Sequence, residues 1–161
     1  MKRYFAALCV LSIGISEGFR QQSIAVKGKL MCGTMPGANI KVKLMDKDTG
    51  SEKLFCLKSF AWNYIVFFDA GLDPDDEMDS GYTDEHGEFS LSGDETELTT
   101  IDPQLKIYHE CNKGLNPCPR KWVISVPDKY ITSGRIPTKT FDLGTVNLEV
   151  ELDGETFDCV H

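Results

Sequence analysis

The chain has 161 residues, with 25 acidic side chains against 17 basic ones, a formal net charge of −8 and a sequence pI near 4.8. That length gives one ordinary domain able to bury a core, and the acidic balance argues against nucleic acid as a partner. Six cysteines in so short a chain point to an oxidising compartment.

Lys2 and Arg3 precede an apolar run over residues 4–15, followed by Ser16, Glu17 and Gly18. This is the pattern of a secretory signal peptide over 1–18, with cleavage after Gly18 and a mature domain over 19–161. The run is shorter than the roughly 20 residues a membrane-spanning helix needs. No later segment reaches that length without a charge, so the expectation is a secreted, extracellular protein with no transmembrane anchor. The chain has no N-x-[ST] acceptor, so export rests on the leader and the thiols.

Short runs with strand-like alternation then follow one another. Val26, Gly28, Leu30 and Cys32 alternate with Lys27, Lys29 and Met31. After the turn Met35-Pro36-Gly37, Ile40, Val42 and Leu44 alternate with Lys41, Lys43 and Met45, which predicts two neighbouring strands. Residues 83–89 end a polar turn in Gly87 before Phe89 and Leu91, a hairpin signal. Leu105, Ile107 and His109 share a strand face, as do Trp122, Ile124 and Val126, and Val146, Leu148, Val150 and Leu152 define a last strand. Short helices fit at Asp73-Pro74-Asp75-Asp76 and over 127–132. About seven to eight short strands with at most one or two short helices give an all-β, two-sheet sandwich.

The blocks VKGKLMC, DSGYTDEHGEFSLSG, TTIDPQLKIYHEC, CPRKWVISVPDKYI, KTFDLGTVNLE and a terminal DCVH occur in that order. Together they resemble the nematode transthyretin-like family of secreted proteins. The resemblance implies a transthyretin-like β-sandwich and an extracellular location, and settles fold better than function. Residues 51–71, SEKLFCLKSFAWNYIVFFDAG, depart from the family as an atypical apolar insertion carrying Cys56. The insertion reads as translated intron sequence, with a functional hydrophobic loop as the alternative.

With Cys56 set aside and Cys9 lost with the leader, Cys32, Cys111, Cys118 and Cys159 allow three connectivities. The short spacing over 112–117 favours Cys111 with Cys118, which would leave Cys32 for Cys159.

No H-E-x-x-H, G-x-S-x-G or paired C-x-x-C motif occurs, so no catalytic residue, metal or cofactor is expected. His109 and Cys111 share a strand face, yet a secreted Cys111 is more simply a cystine and His109 a hydrogen-bonded core histidine. Transthyretin relatives include a purine-pathway hydrolase with a C-terminal Tyr-Arg-Gly-Ser signature. This chain ends Asp158-Cys159-Val160-His161, so that activity is not carried over. Asp73, Asp75, Asp76, Glu77 and Asp79 resemble a calcium loop, but Met78 stands where an EF-hand requires glycine.

Charge is uneven. Residues 69–102 hold thirteen acids and no Lys or Arg, whereas 112–140 hold Lys113, Arg120, Lys121, Lys129, Arg135 and Lys139 against Asp128 alone. These six are the candidate patch for an anionic ligand, either a lipid headgroup or an acidic cell-surface group. Two functions stand open: an extracellular binding or bridging protein recognising a cell surface, lipid or small apolar ligand, and a structural or host-interaction protein with no dedicated ligand. A pocket between the sheets or a concentrated basic face would favour the first. A fully packed sandwich with dispersed charge would favour the second.

Overall fold

The computed structural model describes residues 19–47 and 75–160. The proposed leader over 1–18 and the insertion over 51–71 therefore lie outside the described residues, as does Asp73, where a short helix was expected to begin. Within them the strands are β1 (Arg20–Cys32), β2 (Met35–Pro36), β3 (Lys41–Asp46), β4 (Asp76–Tyr82), β5 (Glu88–Glu97), β6 (Pro103–His109), β7 (Arg120–Ser125), β8 (Thr132–Ser133), β9 (Thr140–Asn147) and β10 (Thr156–Phe157). The expected helix over 127–132 is a single 3-10 turn, Asp128–Tyr130, entered from Pro127.

The strands form two sheets. In the first, β1 is central, with β5 antiparallel on one edge and β9 parallel on the other. The second runs β10-β7-β6-β3-β4, entirely antiparallel. Period-2 alternation aims one face of each strand at the interior. Val42, Ile107 and Trp122 lie opposite one another across three strands, as do Leu44, Leu105 and Ile124. They meet Ile24, Val26 and Leu30 of β1 and Phe89 and Leu91 of β5 in one core. Gly28 stays small because a Cβ there would sit 3.0 Å from both Leu143 Cβ and a Phe89 ring carbon.

Three local expectations are corrected. β1 and β3 belong to different sheets, and the reversal falls earlier than expected, at Gly33-Thr34, so that Met35-Pro36 is not the turn but the strand β2 folded back onto the end of β1. The turn at 83–87 is closed by Asp84, whose carboxylate accepts the amides of His86 and Glu88 at 2.9 and 2.8 Å. Its two arms then part into opposite sheets rather than forming a hairpin ladder. The last long strand ends at Asn147, so Leu148 is buried in a turn while Val150 faces solvent.

This topology sorts the connections to two ends. The segments 33–40, 83–87, 110–119 and 148–155 and the tail 158–160 lie at one end. The strand ends leading to the undescribed insertion, together with 98–102 and 126–139, lie at the other.

Candidate functional site

The six cations of the candidate patch do not share a face. Arg120, at the start of β7, is buried, so its place in a solvent-facing patch is withdrawn. Its guanidinium donates from Nε and Nη2 to the two oxygens of Glu155 at 2.9 and 2.6 Å, and to the carbonyls of Cys111, Leu148 and Val150 at 2.9, 3.0 and 2.8 Å. Buried charge is tolerated only when so fully paired. Trp122 Nε1 adds a third donor to Glu155 at 2.9 Å. Arg120, through its hydrogen bonds, holds the Glu155 carboxyl down at about 2. Lys113 is paired with Glu110 at 2.7 Å and Lys121 with Asp158 at 2.9 Å.

What survives of the patch is Lys129, Arg135 and Lys139, all exposed on the 126–139 connection with Asp128 as its one acid. Lys139 Nζ donates to the Lys129 carbonyl at 2.8 Å, and Lys129 Nζ stands 5.1 Å from the Tyr130 ring centre. Tyr130 packs edge-on against Phe141 at 5.1 Å, fastening the base of the loop to β9. The amide of Thr138 reaches Thr132 Oγ1 at 3.3 Å, and Gly134 donates to the Gln21 carbonyl at 2.8 Å, so residues 133–137 form a closed tip. On that tip Ile136 is 79% exposed. Sequence reasoning passed over it, although an isoleucine directly after Arg135 in a polar turn was a legible signal. Glu155 carried no local signal at all, because its partner lies 35 residues away.

The cystines are Cys32–Cys111 and Cys118–Cys159. The expected pairing, Cys111 with Cys118 and Cys32 with Cys159, is thereby corrected. Cys111 and Cys118 flank the same loop, but each is drawn to a different neighbour: Cys111 to the end of β1 in the facing sheet, Cys118 to the tail beyond β10. Short sequence spacing was a poor guide because the sandwich brings distant strand ends together.

Cys111 is oxidised, so it offers no thiolate to His109. The His109 ring is buried edge-on against Trp122, with centres 5.1 Å apart, and among the described residues neither ring nitrogen has a hydrogen-bond partner, contrary to expectation. Burial first, then the nearby Arg120 charge, pushes its pKa down to about 4, so the ring is neutral at physiological pH. In the acidic segment, Asp75 pairs with Lys106 and Glu77 with Lys43, while Asp79 accepts backbone amides. Among the described residues no three His, Cys, Asp or Glu side chains gather as a metal site. Two open grooves of about 620 and 630 Å³ are present, one over charged side chains of β1, β5 and β9, and one beside the Cys32–Cys111 cystine, where residues of both sheets line it. No helix among the described residues is long and apolar enough to cross a membrane.

Comparison with known proteins places this architecture among relatives. A family model described as "TTR-52: Transthyretin-like family" matches residues 27–127. Transthyretin-like protein 46 of Caenorhabditis elegans is 45% identical over 150 residues, covering 92% of this chain and 72% of that protein. Transthyretin-like protein 33 of the same organism is 40% identical over 154 residues, 96% of this chain and 91% of that one. Transthyretin-like protein 5, also from C. elegans, is 38% identical over 154 residues, 96% of each chain. Among solved structures, a 9R-lipoxygenase from Cyanothece covers 79% of this chain and 16% of its own at 19% identity with a TM-score of 0.37, too loose a likeness to carry an argument.

Proposed function

Because this chain belongs to the transthyretin-like family, we propose that it is a secreted extracellular binding or bridging protein. In this reading it recognises anionic groups, a lipid headgroup or an acidic cell surface, through the loop over 126–139. The observation that supports this is the presence of Lys129, Arg135 and Lys139 with an exposed Ile136 on one loop fastened at its base. Cations near an anionic leaflet contribute roughly 1 kcal/mol each, so three give about 3 kcal/mol, a weak and reversible attachment. Burial of a full isoleucine side chain adds roughly 1.5–3 kcal/mol. The interior offers no comparable support for a small apolar ligand, since Ile24, Leu30, Leu44, Leu105 and Ile107 fill the space between the sheets. Cys111 and His109, buried and unavailable, supply no catalytic pair, so the reading is binding rather than catalysis.

Sedimentation with phosphatidylcholine vesicles, with and without phosphatidylserine, tests the proposal. Binding is expected only with the anionic lipid, is expected to weaken as salt screens the charges, and should fall at least about tenfold on Lys129→Glu with Lys139→Glu. Ile136→Ser should weaken it further without changing its salt dependence. No sedimentation even at low salt would overturn the lipid arm, and equal binding of the charge-reversed protein to acidic cell surfaces would overturn the loop's role. The structural or host-interaction role without a dedicated ligand would then stand.

A further inference from the structure

We propose that the end of the sandwich carrying both cystines is a second docking surface, shaped for a protein partner that presents an apolar pocket rimmed by lysine and arginine. Four exposed apolar side chains cluster there by chain position: Met35 at 70%, Leu115 at 104%, Val150 at 54% and Val160 at 88%. Each is held by a covalent or buried anchor. Met35 pairs across from Cys32 in the β1–β2 turn, Leu115 tips the loop between Cys111 and Cys118, and Val160 follows Cys159. The Val150 carbonyl is gripped by Arg120, the same guanidinium that holds the carbonyls of Cys111 and Leu148. A further tie runs from the Gly33 amide to Asn147 Oδ1 at 3.0 Å. Loops fixed in this way lose little freedom on association, so their exposed apolar area converts to affinity at low entropic cost, and loops on a rigid scaffold are where recognition concentrates.

The charges around these side chains define the partner. Glu85, Glu149, Glu151 and Asp153 stand on the same connections and have no ion-pair partner among the described residues. The cations nearby are already matched: Lys113 by Glu110, Arg120 by Glu155, Lys121 by Asp158. Lys41, at the start of β3, is the exception. The end is therefore a set of apolar tips amid uncompensated carboxylates. An anionic membrane would be repelled, whereas basic side chains around an apolar pocket would be complementary in both respects. The sign is opposite to that of the loop over 126–139, so the two ends address different surfaces and one molecule can hold both.

The test uses the full mature chain with its cystines intact, labelled with nitrogen-15 and titrated with three probes: an amphipathic leucine/lysine peptide, its leucine/glutamate counterpart, and phosphatidylserine vesicles. The leucine/lysine peptide is expected to shift amides in 33–35, 112–116 and 148–153. Its affinity should drop at least about fivefold on Glu149→Lys with Glu151→Lys and Asp153→Lys, and comparably on Leu115→Ser with Val150→Ser. All these positions are exposed, so an unchanged spectrum outside the loops confirms folding. Lys129→Glu with Lys139→Glu should leave this binding intact, which separates the proposal from the function of the opposite end. Equal affinity for the two peptides, shifts confined to other regions, or vesicles perturbing these same loop amides would each overturn it.

Discussion

Two buried residues, His109 and Arg120, face each other across β6 and β7, and they make opposite demands on the proton. His109 has a pKa near 4 in the folded protein against an ordinary 6.5, because burial and the Arg120 charge both oppose its protonation. The unfolded chain then binds more protons between those values, so stability is greatest above pH 6.5 and is lost as pH falls toward 4, by about 3 kcal/mol. Glu155, held near 2 by Arg120 against an ordinary 4.5, contributes stability above pH 4.5 that disappears as pH falls toward 2. Denaturant melts across this range should therefore decline in two successive steps. His109→Phe retains an aromatic edge against Trp122, removes the two unpartnered nitrogens and should abolish the upper step alone. An unchanged slope between pH 6.5 and 4 in that variant would show that the histidine does not govern it. By contrast, Glu155→Ala leaves a buried guanidinium unpaired and should cost roughly 3–5 kcal/mol at neutral pH, read from the same melts.

At the scale of elements, the crossing from β4 to β5 decides whether a hairpin or a sandwich corner forms. Gly87 has φ +78°, and a Cβ there would fall on the Leu30 carbonyl oxygen and 3.1 Å from the Gly37 amide nitrogen. The same turn is stitched to β1 by Leu30 N to Gly87 O and by Gly37 N to Leu30 O, both at 2.8 Å. The turn thus plugs into the end of β1 instead of capping a two-stranded ladder. Further along, a Cβ at Gly93 would lie 2.7 Å from Met78 Cβ and 2.8 Å from its carbonyl oxygen, which shows how closely the two strands pass while belonging to different sheets. Gly87→Ala should therefore cost more than about 2 kcal/mol, combining left-handed strain with backbone overlap. Thermal unfolding measures it, and a loss below half that size would mean the turn relaxes without disturbing β1.

For the whole molecule, each cystine closes a long loop: 79 residues for Cys32–Cys111 and 41 for Cys118–Cys159. In the chain-entropy picture each contributes about 4 kcal/mol by restricting the unfolded chain. Non-reducing peptide mapping should recover these two linkages, and a peptide joining Cys111 to Cys118 would contradict the fold's assembly. Cys32→Ser with Cys111→Ser should lower stability by about 4 kcal/mol and free the end of β1 from the loop over 110–119. One end is covalently tied and acidic, whereas the surviving basic side chains sit on a loop held without a cystine, by Tyr130 against Phe141 and by backbone and side-chain hydrogen bonds.

The sequence by itself determined the class of structure and most of the core. Alternation places Leu105, Ile107, Val42, Leu44 and Trp122 inside because a strand's side chains have a period of two, and that period needs no partner to be legible. The order of motif blocks along the chain carried the family in the same local way, and the four cysteines that form cystines were identifiable as such. Which strand joins which sheet was not legible: the turns at Gly33-Thr34 and after Thr83 specify local reversal, while burial of each strand's inward face against distant neighbours selects the sheet. The same long-range packing chose the cystine partners and took Arg120 out of the candidate patch, since only the folded chain brings Glu155 and three carbonyl oxygens to one guanidinium. Residue type and period are properties of a few neighbouring positions; pairing, and therefore which charges remain free to bind, is a property of the assembled sandwich.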